Sequence, residues 1–123
     1  MNTSITTLYG LPNCDTVKRA RRWLAAHGVE HVFHDFKRQG VPAAHLARWL
    51  ETAGRDRLVN RQGTTWRKLD EARRAAVVDD NSATRLMLDQ PSVIKRPVVE
   101  WAGGPVTVGF DEPAWAALLA ARR

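Results

Sequence analysis

A strand, a helix and a second strand follow one another over the first third of the chain, and this order limits the folds it can adopt. Residues 5–9 (ITTLY) are β-branched and aromatic and stop at Gly-Leu-Pro-Asn, which predicts a buried strand and a tight loop. From Asp15 to Gly28 apolar residues recur at helical spacing, and residues 31–36 read as another strand. The simplest arrangement of a strand, a helix and a strand joined this closely is a right-handed crossover between two parallel strands.

The middle of the chain predicts helices. Pro42 and Gly54 bound one helix, Thr64 or Thr65 is a candidate cap for a second, and Asn81 or Ser82 is a candidate cap for a third. Residues 97–101 and 105–109 flank Ala-Gly-Gly and predict a β-hairpin. A last helix follows, capped by the aspartate at position 111.

The predicted order is therefore βαβ, a helical block, and ββα. It indicates an α/β protein with a thioredoxin-like fold, in which two parallel and two antiparallel strands form one mixed four-stranded sheet. We expect a single domain over residues 1–123, with the thioredoxin-like part at about 1–39 and 93–123 and an inserted helical subdomain at about 40–92. Five tryptophans fall one per element, which favours core packing.

Composition narrows the class of protein. With 123 residues and 44% hydrophobic content, the chain can bury a real core. It has no apolar run of roughly 20 residues and no secretory signal pattern, so we expect a cytoplasmic protein without a membrane span. The net charge of +6 comes from scattered basic residues, which favours solvated helix faces that attract small anions over a nucleic-acid interface.

The single cysteine, Cys14, lies where the first strand gives way to the helix. A lone thiol forms no internal disulfide, so it is a small buried hydrophobe, a reactive thiol or half of a mixed disulfide. At a helix N-terminus the peptide dipoles favour a thiolate and lower its pKa. Lys18 adds positive potential, Asp15 opposes it, and Asn13 is a candidate substrate contact. The four histidines show no recognised ligand spacing, so we expect no metal site.

A second candidate is Lys95-Arg96-Pro97, just before the hairpin. An X–Pro bond can be cis at modest cost. If Pro97 is cis and faces the Cys14 loop, Arg96 presents a forked cation that holds a carboxylate, sulfonate or arsenate oxygen. The alternative is an exposed basic pair before a turn.

Four separated segments, YGLPNCDTVKRARRWL, GTTWRKLDE, LMLDQPSVIKRPVVE and VGFDEPAW, resemble the ArsC/Spx family of arsenate-reductase-like proteins, most closely its YffB-like branch. The resemblance implies a thioredoxin-like fold with a helical insert. It implies that Cys14 is the redox cysteine and that Arg96 precedes the family's cis-proline, Pro97. Arg61 lies in a segment where arsenate reductases carry another anion-binding arginine. Where they carry a third, this chain has Phe110.

Three functions follow from this resemblance. The leading one is a glutathione-dependent thiol reductase, in which Cys14 attacks a small oxidised or disulfide substrate, and glutathione, as co-substrate and not as a bound cofactor, resolves the mixed disulfide. Arg96, with Lys18 or Arg61, would hold a glutathione carboxylate. The second is arsenate reduction with glutathione or glutaredoxin as electron donor. The third is a non-enzymatic, Spx-like protein that contacts RNA polymerase, although position 17 is valine, which excludes the Cys-x-x-Cys switch of the Spx regulators.

Overall fold

A mixed four-stranded sheet organises the computed structural model, which describes residues 5–122. The strands are β1 (Thr6–Gly10), β2 (His31–Asp35), β3 (Val98–Glu100) and β4 (Val106–Val108). Their order is β2-β1-β3-β4; β1 runs parallel to β2 and antiparallel to β3, and β3 runs antiparallel to β4. The prediction of an α/β, thioredoxin-like fold is confirmed.

Eight α-helices and a short 3-10 helix (Pro91–Val93) cover this sheet within the described residues. The α-helices are α1 (Asp15–Ala26), α2 (Phe36–Gln39), α3 (Ala43–Ala53), α4 (Arg55–Leu58), α5 (Thr64–Lys68), α6 (Glu71–Ala75), α7 (Asp80–Asp89) and α8 (Glu112–Ala121). Helices α3 to α7 all lie between β2 and β3 in the sequence. Between residues 5 and 122, no helix has the length and apolar content that crossing a membrane requires.

The two faces of the sheet bury different clusters because side chains alternate along each strand. Leu8 and Val99 point to one face, where they pack with Val17, Ala20 and Leu24 of α1 and with Trp115 of α8. Tyr9 and Val98 point to the other face, where α3 and α7 each supply three buried residues. The helices between β2 and β3 therefore cover one face, and α1 and α8 cover the other.

Tryptophans fill much of both clusters. Trp49, Trp101 and Trp115 are almost completely buried, and the rings of Trp101 and Trp115 meet edge to face with their centroids 5.0 Å apart, an arrangement that aromatic quadrupoles favour. Trp23 and Trp66 are only partly buried. The core role predicted for the tryptophans is confirmed for the three buried ones.

Two predicted helix caps are wrong. The cap of α7 is Asp79, whose carboxylate accepts a hydrogen bond from the Ser82 amide at 2.8 Å, while the Ser82 hydroxyl accepts one from the Asp79 amide. This reciprocal capping box satisfies two amides that neither Asn81 nor Ser82 would satisfy alone as the cap. In α5 the cap is Gly63, so Thr64 is already helical.

One buried carboxylate stands out in the core. Glu100 is 4% exposed, and it accepts hydrogen bonds from the Tyr9 hydroxyl at 2.7 Å and from Trp49 Nε1 at 2.9 Å. Nδ1 of His45 lies 2.7 Å from Oε2, the same oxygen that accepts the bond from Trp49. Burial of the hydroxyl, followed by its bond to Glu100, raises the pKa of Tyr9, so Tyr9 acts as a neutral donor. Glu100 thus joins β1 and α3 to β3 through polar contacts inside an apolar cluster.

Candidate functional site

The loop after β1 places Cys14 at the first turn of α1. Cys14 is the N-cap residue, with φ −99° and ψ 122°, and its side chain is partly exposed. The apolar side of α1 is fixed by Val17, which packs against Gly10; a Cβ on Gly10 would lie 2.7 Å from Val17 Cγ2. Gly10 therefore permits α1 to start close against the end of β1, and the thiol stays at the carboxyl edge of the sheet, where ligand sites of α/β proteins occur.

The surroundings of Cys14 favour its thiolate form. Partial burial of the sulfur raises its pKa, but the Val17 amide, the Arg96 guanidinium and the Thr16 amide outweigh burial, so the pKa of Cys14 lies below its ordinary value. The thiol does not form a capping hydrogen bond to the first turn, so the amides act on it mainly as oriented dipoles. A larger fraction of this thiol is consequently ionised at neutral pH than in an ordinary cysteine.

Arg96 precedes β3 and lines the same cavity as Cys14, where its charge acts on the thiol. Its Nη1 donates to the Ser92 carbonyl at 2.8 Å, which fixes the guanidinium. Its Nε is buried and has no acceptor among residues 5–122. The peptide bond between Arg96 and Pro97 is cis, and Pro97 is buried at the start of the hairpin. Among residues 5–122 only Nη1 of the Arg96 guanidinium donates to a protein acceptor, so Nη2 can donate to an anionic ligand beside Cys14.

An open cavity of about 700 Å³ has Cys14 in its wall. We call it the thiol cavity. Five basic residues and two carboxylates line it: Arg19, Arg57, Arg61, Lys95, Arg96, Asp56 and Asp111. Thr16, Asn60, Gln62 and Phe110 contribute further polar and aromatic surface. Its size lies within the range of small-molecule sites, and the excess of cations favours an anionic ligand.

Several of these side chains are already held in place. Nη2 of Arg57 donates to the Val108 carbonyl at 2.8 Å. Arg61 pairs with Asp56 at 3.1 Å and lies over the Trp66 ring at 5.4 Å. A cation that is fixed before a ligand arrives loses less side-chain entropy on binding. The thiol cavity is therefore partly preorganised for anions.

Two of the predicted site residues lie elsewhere. Lys18 does not line the thiol cavity; it lines a separate groove on the other flank of α1. Asn13 is exposed in the loop before Cys14 and is not among the lining residues. The structure therefore brings Cys14, Arg96 and Arg61 together at one cavity, with Pro97 beside it, and leaves Lys18 and Asn13 outside.

Three basic residues of the thiol cavity were not predicted as site residues. Arg19 follows Cys14 by five residues, a spacing that does not place two side chains on one face of a helix, so no signal in the sequence pointed to it. Lys95 precedes Arg96 in the sequence, but no site role was predicted for it. Arg57 reaches the cavity through α4, a four-residue helix too short to give a periodic pattern. Within residues 5–122 no group of three or more metal-ligating side chains is present.

Replacing Arg96 by glutamine is expected to raise the pKa of Cys14, because the variant loses the cation that stabilises the thiolate. The measurement is the rate of iodoacetamide alkylation against pH, whose midpoint should move to higher pH. The control variant is Arg61→Gln, which removes a cation that lines the same cavity but does not contact the thiol. The midpoint of its alkylation rate against pH should stay near that of the unmodified protein. An unchanged midpoint in Arg96→Gln would show that the amides alone set the thiol's acidity.

Comparisons with known proteins agree on one family. The model of the ArsC family matches residues 9–118. An uncharacterised protein of Haemophilus influenzae is 40% identical over 114 residues, which cover 93% of this chain and 98% of that protein. The global transcriptional regulator Spx 1 of Lactococcus lactis is 26% identical over 117 residues, covering 91% and 87% of the two chains.

Solved structures give the same result. A YFFB protein superposes with a TM-score of 0.85 at 51% identity, covering 91% of this chain and 96% of that one. An arsenate reductase (ArsC) related protein from Brucella melitensis superposes with a TM-score of 0.72 at 48% identity, covering 94% of each chain.

Proposed function

This chain belongs to the ArsC family, and from that premise we propose that it is a glutathione-dependent thiol–disulfide oxidoreductase with Cys14 as its nucleophile. The observation that carries the proposal is a partly exposed thiol of lowered pKa in the wall of a cation-rich cavity. A free cysteine that serves only packing is usually enclosed in apolar surroundings. Cys14 instead borders open, charged space.

The chemistry needs two exchanges at one sulfur. The Cys14 thiolate attacks one sulfur of a substrate disulfide, the other sulfur leaves as a thiolate and takes up a proton, and a mixed disulfide remains on Cys14. Because the chain has no second cysteine, an external thiol must break that bond. The glutathione thiolate attacks the substrate sulfur of this bond. The product is a disulfide between glutathione and the substrate, and the Cys14 thiolate is restored.

The thiol cavity fits glutathione by charge and size. The tripeptide carries two carboxylates and one ammonium group, and the cavity offers an excess of basic residues together with Asp56 and Asp111. Arg96 lines the cavity, and within residues 5–122 only its Nη1 donates to a protein acceptor, so Nη2 can donate to a carboxylate there. Arg61 and Arg57 lie on the same cavity and are available for the other carboxylate.

Incubation of the reduced protein with oxidised glutathione tests this proposal. We expect intact-mass spectrometry to find one glutathionyl group per chain, located on Cys14 by peptide mapping, and we expect reduced glutathione to remove it. The rate of adduct formation should rise with pH through the pKa of Cys14 and then level off. A protein that forms no adduct, although iodoacetamide alkylates it readily, would contradict glutathione as the co-substrate.

Arsenate reduction is the second candidate. It is supported by Arg96 and Arg61, two arginines on the cavity of a reactive thiol, and by the similarity to the arsenate reductase related protein of Brucella melitensis. Phe110 lines the cavity where a third arginine would complete an oxyanion site, and a tetrahedral oxyanion would fill little of the cavity. Arsenate-dependent oxidation of glutathione would support this candidate, and no turnover at saturating arsenate would exclude it.

A further inference from the structure

A second concave surface lies on the flank of α1 that faces away from the thiol cavity. We call it the α1–β2 groove; its lining residues are Pro12, Val17, Lys18, Arg21, Arg22, Ala25 and His31. At 100° per residue, Thr16 of the thiol cavity and Arg21 of the groove fall on opposite sides of the buried stripe of α1, which Val17, Ala20 and Leu24 form. The groove begins at Pro12, two residues before the thiol.

The charge of the α1–β2 groove has one sign. Its lining contains three permanent cations and no carboxylate. Within residues 5–122, none of Lys18, Arg21 and Arg22 lies within 4.0 Å of a carboxylate oxygen. The acidic residues nearest along the chain, Asp15 and Glu30, form no ion pair with them.

Arg21 is held in one orientation. Its Nε donates to His31 Nε2 at 3.3 Å, and its guanidinium lies 4.5 Å from the centroid of the Phe33 ring. His31 accepts this bond only in its neutral form, in keeping with a pKa that burial and the Arg21 charge lower. The terminal nitrogens of Arg21 remain available to a ligand, so the groove presents a fixed cation between two exposed ones.

We propose that the α1–β2 groove docks an acidic polypeptide segment of a protein substrate, and that this substrate is a protein thiol carrying glutathione as a mixed disulfide. The inference rests on the proposed function and names its substrate class. From Lys18 to Ala25 the groove follows about 10 Å of helix, the length of about three residues of extended chain. Because the groove begins at Pro12, two residues before the thiol, a polypeptide whose disulfide meets Cys14 can extend into it.

The redox step balances with the co-substrate already named. The Cys14 thiolate attacks the glutathione sulfur of the mixed disulfide, the protein thiolate leaves and takes up a proton, and glutathione remains on Cys14. A second glutathione thiolate attacks that sulfur and releases oxidised glutathione. The net reaction reduces the mixed disulfide to the protein thiol and converts glutathione to its disulfide. The acidic segment determines which glutathionylated protein is the substrate.

Two synthetic peptides test the proposal. They have equal length and one glutathionylated cysteine, flanked by Asp and Glu in one peptide and by Asn and Gln in the other. The measured quantity is kcat/KM for release of the peptide thiol. We expect the acidic peptide to be preferred about tenfold or more at low salt, and we expect this preference to fall as salt screens the charges.

Variants connect the preference to the groove. Arg21→Gln/Arg22→Gln should lose most of the preference for the acidic peptide, while its rate with the small mixed disulfide of glutathione and 2-mercaptoethanol stays within about twofold of the unmodified protein. Arg22→Gln alone, which leaves the packed Arg21 in place, should lose part of the preference. Lys68→Gln/Arg85→Gln removes the same charge from α5 and α7 and should retain it.

The following results would overturn the proposal. Equal rates for the two peptides in the unmodified protein, or an equal loss of preference in Lys68→Gln/Arg85→Gln, would assign any effect to net charge instead of the groove. Binding of a single-stranded oligonucleotide that is abolished in Arg21→Gln/Arg22→Gln, without a peptide preference, would assign the groove to nucleic acid. If the small mixed disulfide also fails to react, the proposed function itself is wrong.

Discussion

The Cys14→Ser variant is expected to lose glutathione-linked reductase turnover by more than about a thousandfold, because a serine hydroxyl is almost entirely protonated at neutral pH and forms no disulfide. No other sulfur can replace it, since the remaining sulfur atoms of the chain belong to methionines. The measurement is glutathione oxidation with a small mixed disulfide, coupled to glutathione reductase and NADPH consumption.

Loss of turnover must be separated from loss of structure. Cys14 is only partly buried, so the serine variant should keep the circular dichroism spectrum and the thermal midpoint of the unmodified protein. Alkylation of the unmodified protein with iodoacetamide, which modifies its single thiol, should remove turnover to the same extent. Activity that survives both changes would place the chemistry away from Cys14.

The Glu100→Ala variant is expected to lose about 2–5 kcal/mol of unfolding free energy, because the Tyr9 hydroxyl and the Trp49 indole N–H would remain buried without their acceptor. The measurement is chemical denaturation followed by tryptophan fluorescence. Glu51→Ala removes a carboxylate from an exposed position of α3 and should change stability by less than about 0.5 kcal/mol. Equal losses in the two variants would contradict a special role for the buried carboxylate.

The same carboxylate makes stability depend on pH. Burial raises the pKa of Glu100, but hydrogen bonds from His45, Trp49 and Tyr9 outweigh it, so the folded-state pKa lies below the ordinary value. Its contribution is therefore fully present above the ordinary glutamate pKa and is lost as the pH falls through the folded-state pKa. Glu100→Gln should accordingly lose less stability on acidification than the unmodified protein loses.

The strands and the position of the thiol were predictable because each depends on local pattern. The short run at residues 5–9, the Gly-Leu-Pro-Asn stop and the helical spacing from Asp15 place Cys14 at a helix N-terminus without any knowledge of tertiary contacts. The Ala-Gly-Gly turn likewise predicts the hairpin that β3 and β4 form. In these segments the local preference and the final fold agree.

The rest of the candidate site depends on contacts that have no local signal. Helices α2, α4 and α6 have four or five residues each, too few to repeat an apolar pattern, so the position of Arg57 was not predictable. Lys18 lies one turn after Cys14, but it lines the α1–β2 groove and not the thiol cavity. Cys14 has extended backbone angles as the N-cap residue, so helical spacing does not relate the two side chains. The cytoplasmic location, glutaredoxin as donor and the contact with RNA polymerase stay predictions.

Val17, three residues after Cys14, is almost fully buried against Gly10 and the core, and it has a wider consequence for the proposed chemistry. Because the chain has no second cysteine, it cannot form an internal disulfide, so under the proposed function it passes each oxidising equivalent directly to the external thiol. Its turnover should therefore scale with the concentration of reduced glutathione. When the concentration of reduced glutathione is low, the protein should accumulate as the mixed disulfide on Cys14 instead of forming an internal disulfide.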